Sequence, residues 1–105
     1  MAKKTILITG VAGSLARMTA IRLQNKGHSL VGIDYRPKPD SWPSDIPYYQ
    51  ANYNKTRIEE AFRVHKPNTV LHLGRVGNLK MHLNKRFDLN VIGSAKVMEL
   101  CLKYK

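Results

Sequence analysis

The 105-residue sequence predicts an α/β chain: a doubly wound parallel sheet of about four strands with flanking helices. Three observations carry this. Apolar, β-branched runs alternate with segments of helical period. The stretches between the runs are long enough for crossovers rather than hairpins. A glycine-bearing turn joins the first run to the first helical segment.

The elements follow in order. Thr5-Ile6-Leu7-Ile8-Thr9 is short, apolar and ends at a glycine, as a buried strand does. From Ser14 to Lys26, Leu15, Ala16, Ala20 and Leu23 recur at helical spacing, with Arg17, Arg22 and Gln24 opposite. Gly27 stops that helix from the C′ position. Ser29 to Asp34 is a second strand. Pro37, Pro39, Pro43 and Pro47 then hold an extended loop, each fixing its own φ and biasing its neighbour away from helix. Tyr48 to Ala51 is a weak third strand. Thr56 and Glu59 match a capping box, followed by Ile58, Ala61, Phe62 and His65 on one face, and Pro67 ends that helix. Thr69 to Leu73 is a fourth strand, and 74–77 a loop. The spacing of Leu83, Phe87, Val91, Ala95, Met98 and Leu102 predicts a long amphipathic helix. A sheet of this kind needs more strands than these, so the chain is expected to be the N-terminal part of a longer one, truncated before the later strands.

Composition narrows the function classes. An apolar fraction of 43% argues against disorder. The single cysteine, Cys101, excludes an internal disulfide framework and fits a reducing compartment. Ile6-Leu7-Ile8 is too short for a signal core or a membrane span, so no membrane partner is expected and a cytoplasmic protein is the default. The net charge of +11 raises a nucleic-acid partner, but the basic residues are scattered with no run longer than two. None lies between Asp40 and Lys55, where Trp42, Tyr48 and Tyr49 would otherwise suggest base stacking. A solvated basic surface is favoured, and nucleic acid disfavoured.

The chemistry centres on Thr9-Gly10-Val11-Ala12-Gly13-Ser14-Leu15-Ala16. Gly10 permits the tight turn, and Gly13 lets the backbone approach a pyrophosphate. The helix behind them presents unpaired N–H groups and the positive end of its dipole. Ala16 is small enough for close helix–strand packing. Asp34 ends the second strand, 18 residues after Ala16, where a carboxylate can accept hydrogen bonds from an adenosine ribose. It would repel a 2′-phosphate, so NAD is favoured over NADP; Arg36 pulls the other way, since an arginine can pair with that phosphate. Strand, glycines, helix and acid together predict a Rossmann-type dinucleotide site.

Four segments carry a family resemblance: Ile6 to Ala16, Gly27 to Asp34, Val70 to Leu73, and Asn90-Val91-Ile92-Gly93-Ser94. Together they resemble the NAD-dependent epimerase/dehydratase family, the extended short-chain dehydrogenase/reductases. The resemblance implies that Gly10, Ala12, Gly13, Ser14 and Leu15 surround the pyrophosphate, and that Asp34 and Arg36 meet the adenosine ribose. It implies that Leu73, Gly74 and Arg75 line the cofactor beyond the fourth strand, and that Asn90 faces the site from the long helix in a supporting role. Asn52 stands where the family often has an aspartate near the adenine, and Gly74-Arg75 where it usually has alanines. In the family a small-molecule substrate, commonly a nucleotide sugar, joins the cofactor.

The family's proton-transfer pair, a tyrosine and a lysine four apart, is absent from these residues. The positions four after Tyr35, Tyr48, Tyr49 and Tyr53 hold Pro39, Asn52, Tyr53 and Arg57. No catalytic residue is therefore assigned within the chain. The other candidates read as structural. His28, His65, His72 and His82 form no short metal-ligand spacing with one another or with Cys101. His72 on an apolar strand reads as a hydrogen-bonded core residue, and Cys101 as packing. Two functions stay open: the cofactor part of an epimerase, dehydratase or reductase, and a non-catalytic Rossmann module that senses NAD(P) or binds protein or nucleic-acid partners through its basic surface. In either, an open fourth-strand edge invites a homo-oligomer.

Overall fold

The computed structural model describes residues 3–51, 56–73 and 93–104. In chain order the elements are β1 (Thr5–Thr9), α1 (Ser14–Asn25), β2 (Ser29–Asp34), β3 (Tyr48–Gln50), α2 (Thr56–His65), β4 (Thr69–His72) and α3 (Gly93–Lys103). The four strands form one sheet in the order β3-β2-β1-β4. Every pairing is parallel, with Thr9 opposite Ile33 on one side and His72 on the other.

Alternation along β1 explains the double layer. Leu7 faces one way, with Val31 and Ile33, onto Ile58, Ala61 and Phe62 of α2 and Val97 and Leu100 of α3. Ile6 and Ile8 face the other way, with Leu30, onto Ala16 and Ala20 of α1 and onto Trp42 and Ile46 of the proline-rich loop. Strands buried on both faces lose the polar alternation of a solvated sheet, hence the nearly continuous apolar runs. The extended loop is thus part of the core: Trp42 is buried, donates Nε1–H to the Ile46 carbonyl at 2.8 Å, and meets Tyr48 edge-on.

Helix α1 ends as its glycine predicts. Gly27 has φ 95°, and the N–H groups of Gly27 and His28 turn back to the carbonyls of Gln24 and Leu23. Helix α2 stops at His65, before Pro67, with Lys66 at φ 48°. Glu59, expected in a capping box, has Oε2 accepting from Lys103 Nζ and the Tyr104 hydroxyl, tying the end of α3 to the start of α2.

Two apolar faces differ from expectation. In α1, Leu15 is 72% exposed, whereas its neighbour Ala16 and Ala20 one turn on are the residues that pack on the sheet. In α3, Met98 and Leu102 are 64% and 73% exposed, and Ala95 is exposed too. Val97 and Leu100 take the core, with Cys101 and Tyr104 packed beside them. The helix carries two overlapping apolar stripes, and the contact with Phe62 and Val70 selects the second. The expected start of this helix near Leu83 lies outside the described residues. No helix among the described residues is long and apolar enough to cross a membrane.

Candidate functional site

The strand order reverses between β1, which leads through α1 to β2, and β4, which lies on its other side. In an open α/β sheet that reversal leaves a crevice at the carboxyl ends of the strands. Here a cleft of about 280 Å³ opens there, lined by Gly10, Gly13, Ser14, Leu15, Ala16, Arg36 and Leu73.

The turn after β1 is shaped by its own hydrogen bonds. Gly10 has φ 77°, a conformation that a side chain would strain. The N–H groups of Gly10 and Val11 both donate to the Ile33 carbonyl, at 2.8 and 3.4 Å. Gly13 N–H donates to the Gly10 carbonyl at 3.1 Å. Ala12 N–H donates to Asp34 Oδ2 at 3.0 Å, so this amide is turned toward the carboxylate behind the turn. Gly13 caps α1 without a side-chain hydrogen bond. The amides of Ser14, Leu15 and Ala16 have no partner inside the helix and stand at the cleft with the positive end of its dipole. A Cβ at residue 13 would lie 3.3 Å from the Gly10 carbonyl oxygen and 3.7 Å from Arg36 Nη2. Residue 13 is therefore a place where backbone is exposed to whatever enters the cleft.

Behind the Arg36 end of the cleft, Asp34 is fully buried. Arg36 grips it three ways: backbone N–H to Oδ1 at 2.8 Å, Nε to Oδ1 at 3.0 Å, and Nη2 to Oδ2 at 2.9 Å. The guanidinium side is 44% exposed and lies 5.4 Å from the Tyr35 ring centre. Tyr48 completes the cluster by donating its hydroxyl to the Arg36 carbonyl at 2.6 Å. Burial pushes the Tyr48 hydroxyl up from 10.0 to about 12; the nearby Asp34 charge adds to this and Arg36 partly offsets it. No linear spacing singles out Tyr48, because the whole proline loop separates it from Arg36.

A second network lies beneath the β1–β4 side. His72 Nδ1 is 2.7 Å from the Thr9 hydroxyl, and its Nε2 is 2.7 Å from the Ser94 hydroxyl. Burial holds the imidazole below its ordinary pKa of 6.5. The ring thus joins β1, β4 and α3 as a hydrogen-bonded structural group. Of the residues picked from sequence, Gly10, Gly13, Ser14, Leu15, Arg36 and Leu73 meet at the cleft, with Ala12 and Asp34 just behind its wall. Asn52, Gly74, Arg75 and Asn90 lie outside the described residues.

A larger cavity, about 340 Å³, sits against Phe62, Pro67, Val70, Cys101 and Tyr104. It lies at the amino end of β4, away from the crevice, and lacks the converging amides of the first.

With this geometry in place, one comparison is decisive. The family model described as "NAD dependent epimerase/dehydratase family" matches residues 6–105. The chain belongs to that family. No curated protein matches it. Among solved structures, the UDP-glucose 4-epimerase of Thermus thermophilus, in complex with NAD, superposes with a TM-score of 0.84 at 24% identity, covering 95% of this chain and 34% of that one. The enzyme WbmG of Bordetella bronchiseptica, in complex with NAD and UDP, gives 0.86 at 23% identity, covering 98% and 35%. The L-threonine dehydrogenase of Clostridium difficile gives 0.82 at 21% identity, covering 99% and 34%. At these identities the likeness is one of fold. The chain spans about a third of each relative's length.

Proposed function

We propose that the chain is the dinucleotide-binding part of an NAD-dependent epimerase/dehydratase acting on a nucleotide sugar or similar substrate. The observation that carries this is the cleft at the β1–β4 reversal, where exposed backbone at Gly13 and the first turn of α1 lie beside the Asp34–Arg36 pair. Helix amides suit a pyrophosphate, and the acid–base pair suits an adenosine ribose. The nucleotide-sugar class is supported by family membership and by relatives solved with UDP or UDP-sugars.

In this reading Gly10 shapes the turn, and Gly13, Ser14, Leu15 and Ala16 receive the phosphates. Ala12 holds Asp34 in place, Asp34 and Arg36 form the ribose end, and Leu73 is the wall toward the nicotinamide. Asn52, Gly74, Arg75 and Asn90 keep the roles that the family pattern gives them. The bound nicotinamide supplies hydride transfer. The chain's own residues bind and orient the dinucleotide, and no Tyr-x-x-x-Lys pair occurs among the 105 residues to move the accompanying proton. We place the protein in the cytoplasm, with β4, an edge of the described sheet, as the surface for pairing between copies.

Calorimetric titration with NAD, NADP and a short DNA duplex tests the reading. Saturable heat with NAD, absent for Gly13→Leu, is the expected result. Heat with DNA alone would replace this reading with that of a nucleic-acid-binding module.

A further inference from the structure

The ladder between β2 and β3 stops short at its amino end, and a proline is the cause. Gly32 N–H donates to the Pro47 carbonyl at 2.9 Å, and the paired register runs from Gly32 opposite Tyr48 to Asp34 opposite Gln50. One ladder step earlier, the Leu30 carbonyl stands opposite the nitrogen of Pro47, which carries no hydrogen. No carbonyl takes the Leu30 N–H either, because the chain before Pro47 bends into a turn closed by Ile46 N–H on the Pro43 carbonyl at 3.2 Å. Leu30 is 5% exposed, so its two outward main-chain groups are buried without a partner among the described residues.

A cavity of about 300 Å³ opens at this point. It lies at the amino ends of β1 and β2, the opposite end of the sheet from the cleft. Leu30 and Pro47 line it together with Gln24, His28, Asp45 and His65. His28 is 8% exposed, and its Nδ1 accepts from Lys4 N–H at 3.0 Å. That bond leaves the ring proton on Nε2, which has no partner among the described residues. Gln24 Nε2 donates to Asp45 Oδ2 at 2.8 Å, leaving Oδ1 as a further acceptor. Two donors, Leu30 N–H and His28 Nε2–H, and two acceptors, the Leu30 carbonyl and Asp45, thus surround one small space. Buried polar groups are almost always satisfied, so this set calls for a polar occupant. No lysine or arginine lines the cavity, and an anion there would face Asp45 uncompensated.

We propose that this cavity is a second ligand site, for a small neutral molecule with an amide or lactam edge. The ligand's carbonyl accepts from Leu30 N–H and its N–H donates to the Leu30 carbonyl, as a neighbouring strand would do. His28 Nε2–H and Asp45 serve its remaining polar groups. The volume is at the small end of ligand sites, which limits the occupant to a single ring or a dipeptide. No residue of the dinucleotide cleft takes part, so the site stands or falls independently of that reading.

The test is a titration of the chain with uracil, a lactam, and with glycylglycine, a peptide, followed by amide proton–nitrogen spectra. Either ligand should shift the Leu30 and His28 signals with a Kd of about 1 mM, the scale for molecules of this size. Response to uracil alone assigns a nucleobase-like ligand, and response to glycylglycine alone a peptide. The shifts should persist when NAD is added. 1,3-Dimethyluracil keeps the ring but has no N–H, and should bind about tenfold more weakly or not at all. Pro47→Ala supplies the missing N–H opposite the Leu30 carbonyl, and should weaken uracil and glycylglycine by a similar factor. Equal binding of uracil and its dimethyl form would overturn the proposal whether or not the variant folds. So would unchanged binding to a folded Pro47→Ala, or no shift at Leu30 and His28 with either ligand at about ten times the expected Kd, since the polar groups would then be satisfied by solvent.

Discussion

The indole of Trp42 occupies the space that a side chain at Gly32 would need. A Cβ on residue 32 would lie 2.7 Å from Trp42 Cζ2, 2.8 Å from Cη2 and 2.9 Å from Val11 Cγ2. Gly32 is in the middle of β2, paired to Ile8 and Tyr48, so neither neighbouring strand leaves room to yield. Gly32→Ala is expected to destabilise the fold by about 1–3 kcal/mol through overpacking. Urea unfolding followed by Trp42 fluorescence measures it directly, since Trp42 is the sole tryptophan. An unchanged midpoint would mean that the loop shifts freely, contrary to its buried contacts.

Thr9, His72 and Ser94 join three elements through one imidazole. Burial favours the neutral ring, so its folded pKa lies below the unfolded value of 6.5. A depressed histidine contributes stability that is present above pH 6.5 and is lost as pH falls through the folded value. Unfolding midpoints should therefore decline below pH 6.5, with a shallower decline in His72→Gln. Thr9→Val, which removes one partner, should cost about 1 kcal/mol at neutral pH. Equal slopes for the chain and the glutamine variant would show that His72 is not the group responsible.

Tyr48 gives a prediction at the opposite end of the scale. With its hydroxyl pushed up to about 12, the folded state retains that proton after an unfolded tyrosine, at 10.0, has lost it. The stabilisation is complete below pH 10 and is lost as pH rises toward 12. Ultraviolet titration of the five tyrosines should show a late step that Tyr48→Phe removes. The variant should also lose less stability across that window, and persistence of the late step would assign it elsewhere.

The two stripes of α3 can be told apart with one pair of substitutions. Leu100 is 2% exposed and Leu102 is 73% exposed. Leu100→Ala should cost about 2–5 kcal/mol, whereas Leu102→Ala should stay within about 0.5 kcal/mol. Reversed magnitudes in thermal or urea unfolding would mean that the helix docks on its other stripe.

That pair also marks where sequence reasoning stops. β1, α1, β2 and the parallel character of the sheet are legible because local signals agree: apolar runs, a glycine turn, a C′ glycine and an acid at the end of β2. The buried face of α3 is not, because Ala95, Met98 and Leu102 repeat as regularly as Val97, Leu100 and Cys101, and tertiary contact with Phe62 chooses between them. Trp42 reads as a loop aromatic until Gly32 is seen beneath it. At the site, the spacing of Asp34 and Arg36 shows two opposed charges but not that one grips the other. Nor does any local pattern turn the Ala12 amide toward Asp34, since that contact spans the turn from one strand end to the next.

The backbone bonds from Gly10 and Val11 to Ile33 make the glycine turn an extension of the β2 end as much as of β1. The parallel register sets Thr9 level with Ile33, so the turn and Asp34 leave the sheet side by side, one strand apart. Neighbouring strands are held at about 4.8 Å by the ladder itself. The cleft therefore starts from a built-in ruler: the offset between the glycine turn and the carboxylate where they leave the strands is graduated by the sheet.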